Sequence, residues 1–284
     1  MKITDLSVGM SCSKMMAVTQ YDRNGAQKTV SKYILEENLL DVFINEQLTL
    51  RMVCTAIDLP ALVLGHLYSE GMIESPEEVE SIYICENASR AKVFLKHPFE
   101  KKDHILEIRA CDCGADGVMG RDLLPEGLAA GNESQAAMQN GAAAAQEKMT
   151  GSEPWKLEWA YAMVEEFAKE SPLHEQTHGT HSAYLSQGGR LLYQCEDIGR
   201  HNALDKVIGK ALLDHVDLTT CMIFTSGRVP VDMIQKVIRS KVPVLISNTV
   251  LTDRALALAK SYGVTLLTSA RQNHMDCFTK LCNE

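Results

Sequence analysis

Between Asn202 and Thr268 the chain repeats one alternation, a helix-length stretch followed by a short, largely apolar run, and this pattern restricts the fold more than any other feature. Asn202 to Leu213 reads as helix, Cys221 to Thr225 as strand, Val231 to Ser240 as helix and Pro243 to Ser247 as strand. Asp253 to Ser261, stopped by Gly263, reads as helix, and Val264 to Thr268 as strand. Strands alternating with helices at this spacing imply right-handed crossovers onto a largely parallel sheet with helices on its faces. Upstream, Pro154 lies in the first turn of a helix whose Trp155, Trp159, Met163, Val164 and Phe167 form one apolar face, ended by Ser171-Pro172. Thr180 to Leu185 then turns at Gly188-Gly189 into Arg190 to Cys195 as a hairpin. Residues 153–284 are therefore expected to form an α/β layered domain.

Residues 1–110 read differently, as a small β-rich domain. Ile44, Leu48, Leu50 and Met52 recur on even positions around a turn at Asn45-Glu46-Gln47, the period of a half-buried ribbon. Asp58 is placed as an N-cap with Pro60 in the first turn, and Leu62, Val63 and Leu67 follow on one helical face before Gly71. Short apolar runs at Ser81 to Cys85, Ala91 to Lys96 and His104 to Ala110 read as strands. Residues 111–152 hold a cysteine-bearing loop and then, from Leu128 to Ser152, an Ala/Gly/Gln/Asn/Ser-rich stretch that reads as a flexible connector or a short surface helix.

A chain of 284 residues, 45% hydrophobic, buries a sizeable core. No stretch near the first residue pairs a basic region with an apolar run and a small-residue cleavage site, and no window approaches the roughly 20 apolar residues of a membrane span. A cytoplasmic protein away from membranes is expected. Nine cysteines, odd in number and scattered, read as reduced thiols rather than a disulfide framework. The formal net charge of -9 opposes binding to nucleic acid, which requires a basic surface.

The polar residues gather in the loops after the strands. Cys195 is followed by Glu196-Asp197-Ile198-Gly199-Arg200-His201-Asn202, the next strand by Ser226-Gly227-Arg228, and the one after by Ser247-Asn248-Thr249. In open α/β sheets ligands bind beyond the carboxyl ends of strands, where helix N-termini favour anions, so Arg200 and Arg228 with their glycines point to a phosphorylated ligand. A purely structural account has Asp197 capping a helix, Gly199 and Gly227 serving turns, and the arginines paired locally. Cys111-Asp112-Cys113-Gly114 is the one close cysteine pair, on a glycine-bearing loop that gives a sulfur-carrying thiolate the access it needs. Asp112 and Asp116 oppose thiolate formation, while Arg109 and Arg121 offset them. His178 and His181 with these cysteines lack knuckle spacing, so no structural zinc is expected. His201, at a helix start, reads as a ligand contact, a proton carrier or a helix-capping residue.

Glu196-Asp197-Ile198-Gly199-Arg200-His201-Asn202-Ala203-Leu204-Asp205-Lys206 closely resembles the E-D-V-G-R-H-N-A-x-D-K signature of the FdhD family. Thr225-Ser226-Gly227-Arg228, Cys54-Thr55, Leu62 to Leu67 and Ser69-Glu70-Gly71 resemble further segments of it, so the likeness spans about residues 30 to 280. The resemblance implies a small β-rich N-terminal domain, a cytidine-deaminase-like three-layer α/β C-terminal domain, and a homodimer. It implies a sulfurtransferase and cofactor chaperone that takes sulfane sulfur from a cysteine desulfurase onto a loop cysteine. The sulfur then passes to the molybdenum (or tungsten) bis-pterin guanine dinucleotide cofactor, carried as cargo for an apo formate dehydrogenase or related molybdoenzyme. On this reading Cys113 carries the persulfide, and Cys111, two residues upstream, either stands in for the missing second thiol or is incidental. Arg200, His201, Asn202, Ser226, Gly227, Arg228 and His181 hold the pterin dinucleotide, and GDP serves as its mimic. Two positions depart from the family: Asp116 replaces the second loop cysteine, and Thr177-His178-Gly179-Thr180-His181 puts a side chain at the first glycine of T-G-G-x-H. The altered cysteine loop keeps a second reading open, a binder that delivers cofactor or docks an apoenzyme without moving sulfur. A zinc deaminase is excluded by the lack of H-x-E with P-C-x-x-C.

Overall fold

The computed structural model describes residues 1–99, 108–109, 155–169 and 171–279. Cys111, Cys113, Pro154, the Leu128 to Ser152 stretch and the expected domain limits at 110 and 152 lie outside the described residues.

The first sheet is assembled from β1 (Lys2–Asp5), β4 (Asn38–Ile44), β5 (Gln47–Cys54), β6 (Val79–Ile84), β7 (Arg90–Leu95) and β8 (Ile108–Arg109), in the order β1-β6-β7-β4-β5-β8. β2 (Ser13–Tyr21) and β3 (Gln27–Leu35) form a separate two-stranded ribbon. The β4–β5 hairpin turns on Asn45 and Glu46, both at positive φ, which matches the twist of the flanking strands. Leu40, Val42, Ile44, Leu50, Met52 and Cys54 face inward, whereas Leu48 does not. The register shifts between Val42 and Phe43, so one extra residue in β5 turns Thr49 inward and breaks the even-position pattern.

Helix α1 (Leu59–Ser69) lies against this sheet and is buried on every side rather than on one face. Asp58 holds the N-cap position at φ 54°, but its carboxylate caps nothing and instead lies 2.8 Å from Lys210 Nζ.

The second half begins with α2 (Leu157–Ala168), so Trp155 precedes the helix it was expected to join. Ser171-Pro172 does not end α2 but opens a further short helix, α3 (Pro172–Thr177). Proline lacks the N–H that a first helical turn leaves unused, which makes it a starter here. β9 (His181–Gln187) and β10 (Arg190–Asp197) then form the hairpin. α4 (Arg200–Leu213), β11 (Cys221–Thr225), α5 (Val231–Arg239), β12 (Val244–Ser247), α6 (Asp253–Ser261), β13 (Thr265–Thr268) and β14 (Asp276–Cys277) complete the element order. The sheet order is β10-β9-β11-β12-β13-β14. Only β11, β12 and β13 pair in parallel, so the sheet is mixed where a largely parallel one was expected. The tight turn at Gly188-Gly189 forces β9 antiparallel to β10, and β9 then inserts between β10 and β11.

Tyr184, Met222, Phe224, Val244, Ile246 and Leu267 pack against α2. Residues of the opposite face, among them Ala183, Leu185, Ile223 and Leu245, join a core that continues through α4 and α1 to the first sheet. At the crossing of α1 and α4 the backbones touch: a Cβ on Gly65 would stand 1.9 Å from the Asp205 carbonyl oxygen, and one on Gly209 1.9 Å from that of Ala61. Neither neighbour is a side chain that can swing away. Gly209→Ala is therefore expected to destabilise the protein at the upper end of the roughly 1–3 kcal/mol typical of overpacking, read as a fall in denaturant midpoint.

Candidate functional site

The eleven-residue segment from Glu196 to Lys206 divides its side chains between two tasks. Asp197, fully buried at the end of β10, accepts through Oδ2 from the Thr55 amide and hydroxyl at 3.0 Å each and from Lys206 Nζ at 2.6 Å. Its Oδ1 accepts from Gly199 N at 2.9 Å and Asn202 Nδ2 at 2.8 Å. Asn202 Nδ2 also donates to the Val53 carbonyl at 2.8 Å, and Lys206 Nζ to Thr55 Oγ1 at 2.8 Å. Asp197 thus anchors β10 to the end of β5, and Gly199 rather than Asp197 occupies the N-cap position of α4. Asp205, one turn further, takes hydrogen bonds from Ser69 Oγ at 2.7 Å and from Lys236 Nζ at 2.9 and 3.0 Å, and lies 3.0 Å from His66 Nδ1. Lys236 also pairs with Glu70 at 2.7 Å. Burial pushes the Asp205 carboxyl up, but the Lys236 charge and the bonds from His66 and Ser69 hold it below the usual carboxylate range. Asp197, Asn202, Asp205 and Lys206 therefore clamp the two halves of the chain together.

Glu196 faces the other way. Its carboxylate accepts from the Leu173 and His174 amides at 3.0 and 2.7 Å and from Thr180 Oγ1 at 3.0 Å, satisfying the open end of α3. That fixes α3 as one wall of a cleft of about 500 Å³ beyond the carboxyl ends of β11 and β12. Phe167, His174, His178 and Gly179 line one side, and His181, Ser182, Ser226 and Asn248 the other. Ser226 Oγ accepts from the Ser182 amide at 2.9 Å and lies 3.2 Å from His181 Nδ1. Asn248 brings a buried Oδ1 that has no hydrogen-bond partner among the described residues. His178 closes α3 at φ 53°, a conformation that favours glycine, so the residue departing from the family pattern stands directly in the cleft wall.

The remaining expected residues surround this cleft without lining it. Arg200 is buried, and a Cβ on Gly227 would stand 2.7 Å from its Cβ and Cδ, so Gly227 is glycine because the arginine stem crosses it. Ser247 Oγ donates to the Gly227 carbonyl at 2.8 Å, locking the loops after β11 and β12 together. Arg228 is exposed. His201 Nε2 lies 2.8 Å from Asp232 Oδ2; burial pushes that carboxyl up, but His201 and then Arg200 bring it net below its ordinary range. Among the expected ligand residues, His181 and Ser226 reach the cleft, while Asn202 has its amide turned inward to β5. Sequence reading missed His174 and Asp232 and named Asn248 only as part of its loop; the four-residue spacing of His174 and His178, the latter closing the short helix, was the available signal.

The structure is that of a mixed α/β protein whose two sheets are bridged by a glycine-notched helix pair, with a cleft at strand ends. The model of the FdhD/NarQ family matches residues 35–282, and the chain belongs to that family. It is 27% identical over 258 residues to the sulfur carrier protein FdhD of Listeria monocytogenes serotype 4b, covering 90% of this chain and 92% of the relative. It is 27% identical over 264 residues to the protein of the same name from Bacillus subtilis strain 168, covering 92% and 94%. A crystal structure from Desulfotalea psychrophila, described as that of a formate dehydrogenase accessory protein, shares the fold with a TM-score of 0.70 at 24% identity, covering 95% of this chain and 98% of the other. No helix among the described residues is long and apolar enough to cross a membrane.

Proposed function

We propose that this chain is a sulfur carrier for formate dehydrogenase maturation. It receives sulfane sulfur from a cysteine desulfurase on Cys113 and passes it to a molybdenum or tungsten bis-pterin guanine dinucleotide whose nucleotide end occupies the cleft. The relatives' shared name supports the sulfur-carrying role. The observation that carries the reading is the register of β8, which pairs in parallel with β5 at Arg51↔Ile108 and Met52↔Arg109. β5 ends at Cys54, beside the Thr55 and Val53 groups that bind Asp197 and Asn202. β8 therefore runs, like β5, toward the α4 start.

The cleft fits such cargo in size and chemistry. Pockets of roughly 300–1,000 Å³ take nucleotide-sized ligands, and the unpartnered Asn248 acceptor with the His174, His178 and Phe167 rings suits a planar base bearing N–H donors. Arg228 at the loop edge suits a diphosphate. We further read the β9–β10 hairpin with its three parallel strands as a cytidine-deaminase-like layer, and the protein as a cytoplasmic homodimer. GDP should bind in calorimetric titration, with affinity falling about tenfold in Arg228→Ala, the loss of one charge-assisted contact. Unchanged affinity in an Arg200→Ala, Arg228→Ala double variant would move the ligand elsewhere.

A further inference from the structure

The β2–β3 ribbon joins neither sheet, and two-stranded ribbons are marginally stable unless something covers a face. Its register places Lys14 opposite Ile34, Met16 opposite Lys32, Val18 opposite Val30 and Gln20 opposite Lys28, so these side chains share one face. Met16 is 44% and Ile34 41% exposed, and Lys28 and Lys32 are also exposed. Neither strand contains an acidic residue, although the chain as a whole carries a net charge of -9; among the described residues Lys14 is the one of these lysines in an ion pair, with Glu36 at 3.9 Å. The base of the ribbon abuts the cleft: Ser13 Oγ donates to Gln176 Oε1 of α3 at 2.7 Å, and Leu35 lies 3.3 Å from where a Cβ on Gly179 would stand.

We propose that this lysine-and-aliphatic face is the arm on which the client enzyme docks through an acidic, partly apolar surface while the cleft hands over its cargo. The proposal rests on the sulfur-carrier reading above. The client, rather than the sulfur donor, is the occupant because the ribbon borders the cleft wall, whereas the donor must meet the loop that follows β8. Basic side chains set among aliphatic ones on an otherwise acidic protein give the charge complementarity that steers and orients such an encounter.

The test is a Lys28→Glu, Lys32→Glu variant compared with the unaltered full chain. Formate dehydrogenase activity is measured in a host lacking its own accessory protein, and affinity for purified apo formate dehydrogenase at low and high salt. Activity should fall at least tenfold and low-salt affinity likewise, with GDP affinity and thermal unfolding unchanged. Activation and apoenzyme affinity equal to the unaltered chain overturn the proposal, as does conversion of a dimer to a monomer, which would assign the face to a second copy. If the unaltered chain neither binds GDP nor restores activity, the sulfur-carrier reading itself has failed.

Discussion

Replacing Cys113 by serine should abolish restoration of formate dehydrogenase activity in a host without its own accessory protein, while Cys111→Ser should leave a substantial fraction. Cys113 alone keeps the family register of cysteine, glycine and then Gly117, and Asp116 removes the usual second thiol. A persulfide forms when the Cys113 thiolate attacks the sulfane sulfur of the donor and the donor's cysteine leaves as thiolate, which serine cannot do. Mass-spectrometric persulfide loading separates the outcomes. If Cys113→Ser restores activity while Cys111→Ser does not, Cys111 is the carrier; if both restore it, sulfur does not travel through this loop and the reading of a non-transferring cofactor binder takes its place.

The second large effect concerns stability. Asp205→Ala should cost about 3–5 kcal/mol, because it leaves Lys236, 2% exposed, with Glu70 as its remaining carboxylate neighbour among those described. That is a large part of the roughly 5–15 kcal/mol that holds a typical domain folded. The same network sets an acid limit. Burial, and then the Lys236 charge, hold the His66 imidazole below its ordinary range despite Asp205. The unfolded chain therefore takes up a proton below about pH 6.5 that the folded chain refuses, and stability falls as pH drops from that point. Asp205, depressed in the fold, adds stability that is present above the unfolded carboxylate value and is lost as pH falls through the folded one. Denaturant midpoints between pH 8 and 4 should decline from near 6.5, and His66→Gln should remove the upper part of that decline. A flat midpoint from pH 8 to 5 in the unaltered protein would mean that His66 binds its proton equally well in the folded and unfolded chain.

The hydrophobic period made the strands and helices of the second half legible, because an apolar run or a helical stripe is a local property. β11 and α6 stand at the expected residues, and β9, β10, α4, α5, β12 and β13 shift by one or two, while α2 starts later than expected and α3 and β14 were not foreseen. The same locality limits the reading. Pro172 was taken as a stop, although proline at a first turn is equally a start, and the choice depended on Glu196 arriving from β10 to satisfy the α3 amides. The β9–β10 hairpin and the parallel run of β11, β12 and β13 stand as expected, but periodicity carries no information about which neighbour a strand selects, so the antiparallel pairing of β9 with β11 was not foreseen. α1 was given one apolar face, yet its small and polar positions, Gly65, His66 and Ser69, are buried as well by a helix some 140 residues away.

The sequence by itself determined the family, the order of elements and the loops that would carry the polar residues, since each is written in contiguous residues. What only the tertiary structure decided is how one signature is divided. Asp197, Asn202, Asp205 and Lys206 turn inward to clamp β5 and α1, Glu196 supports the cleft wall, and His181 and Ser226 meet across two strands to line it. The reason is physical: a buried carboxylate or ammonium is tolerable only beside its partner, and those partners, Thr55, Val53, His66 and Ser69, lie more than a hundred residues away, where no spacing rule connects them.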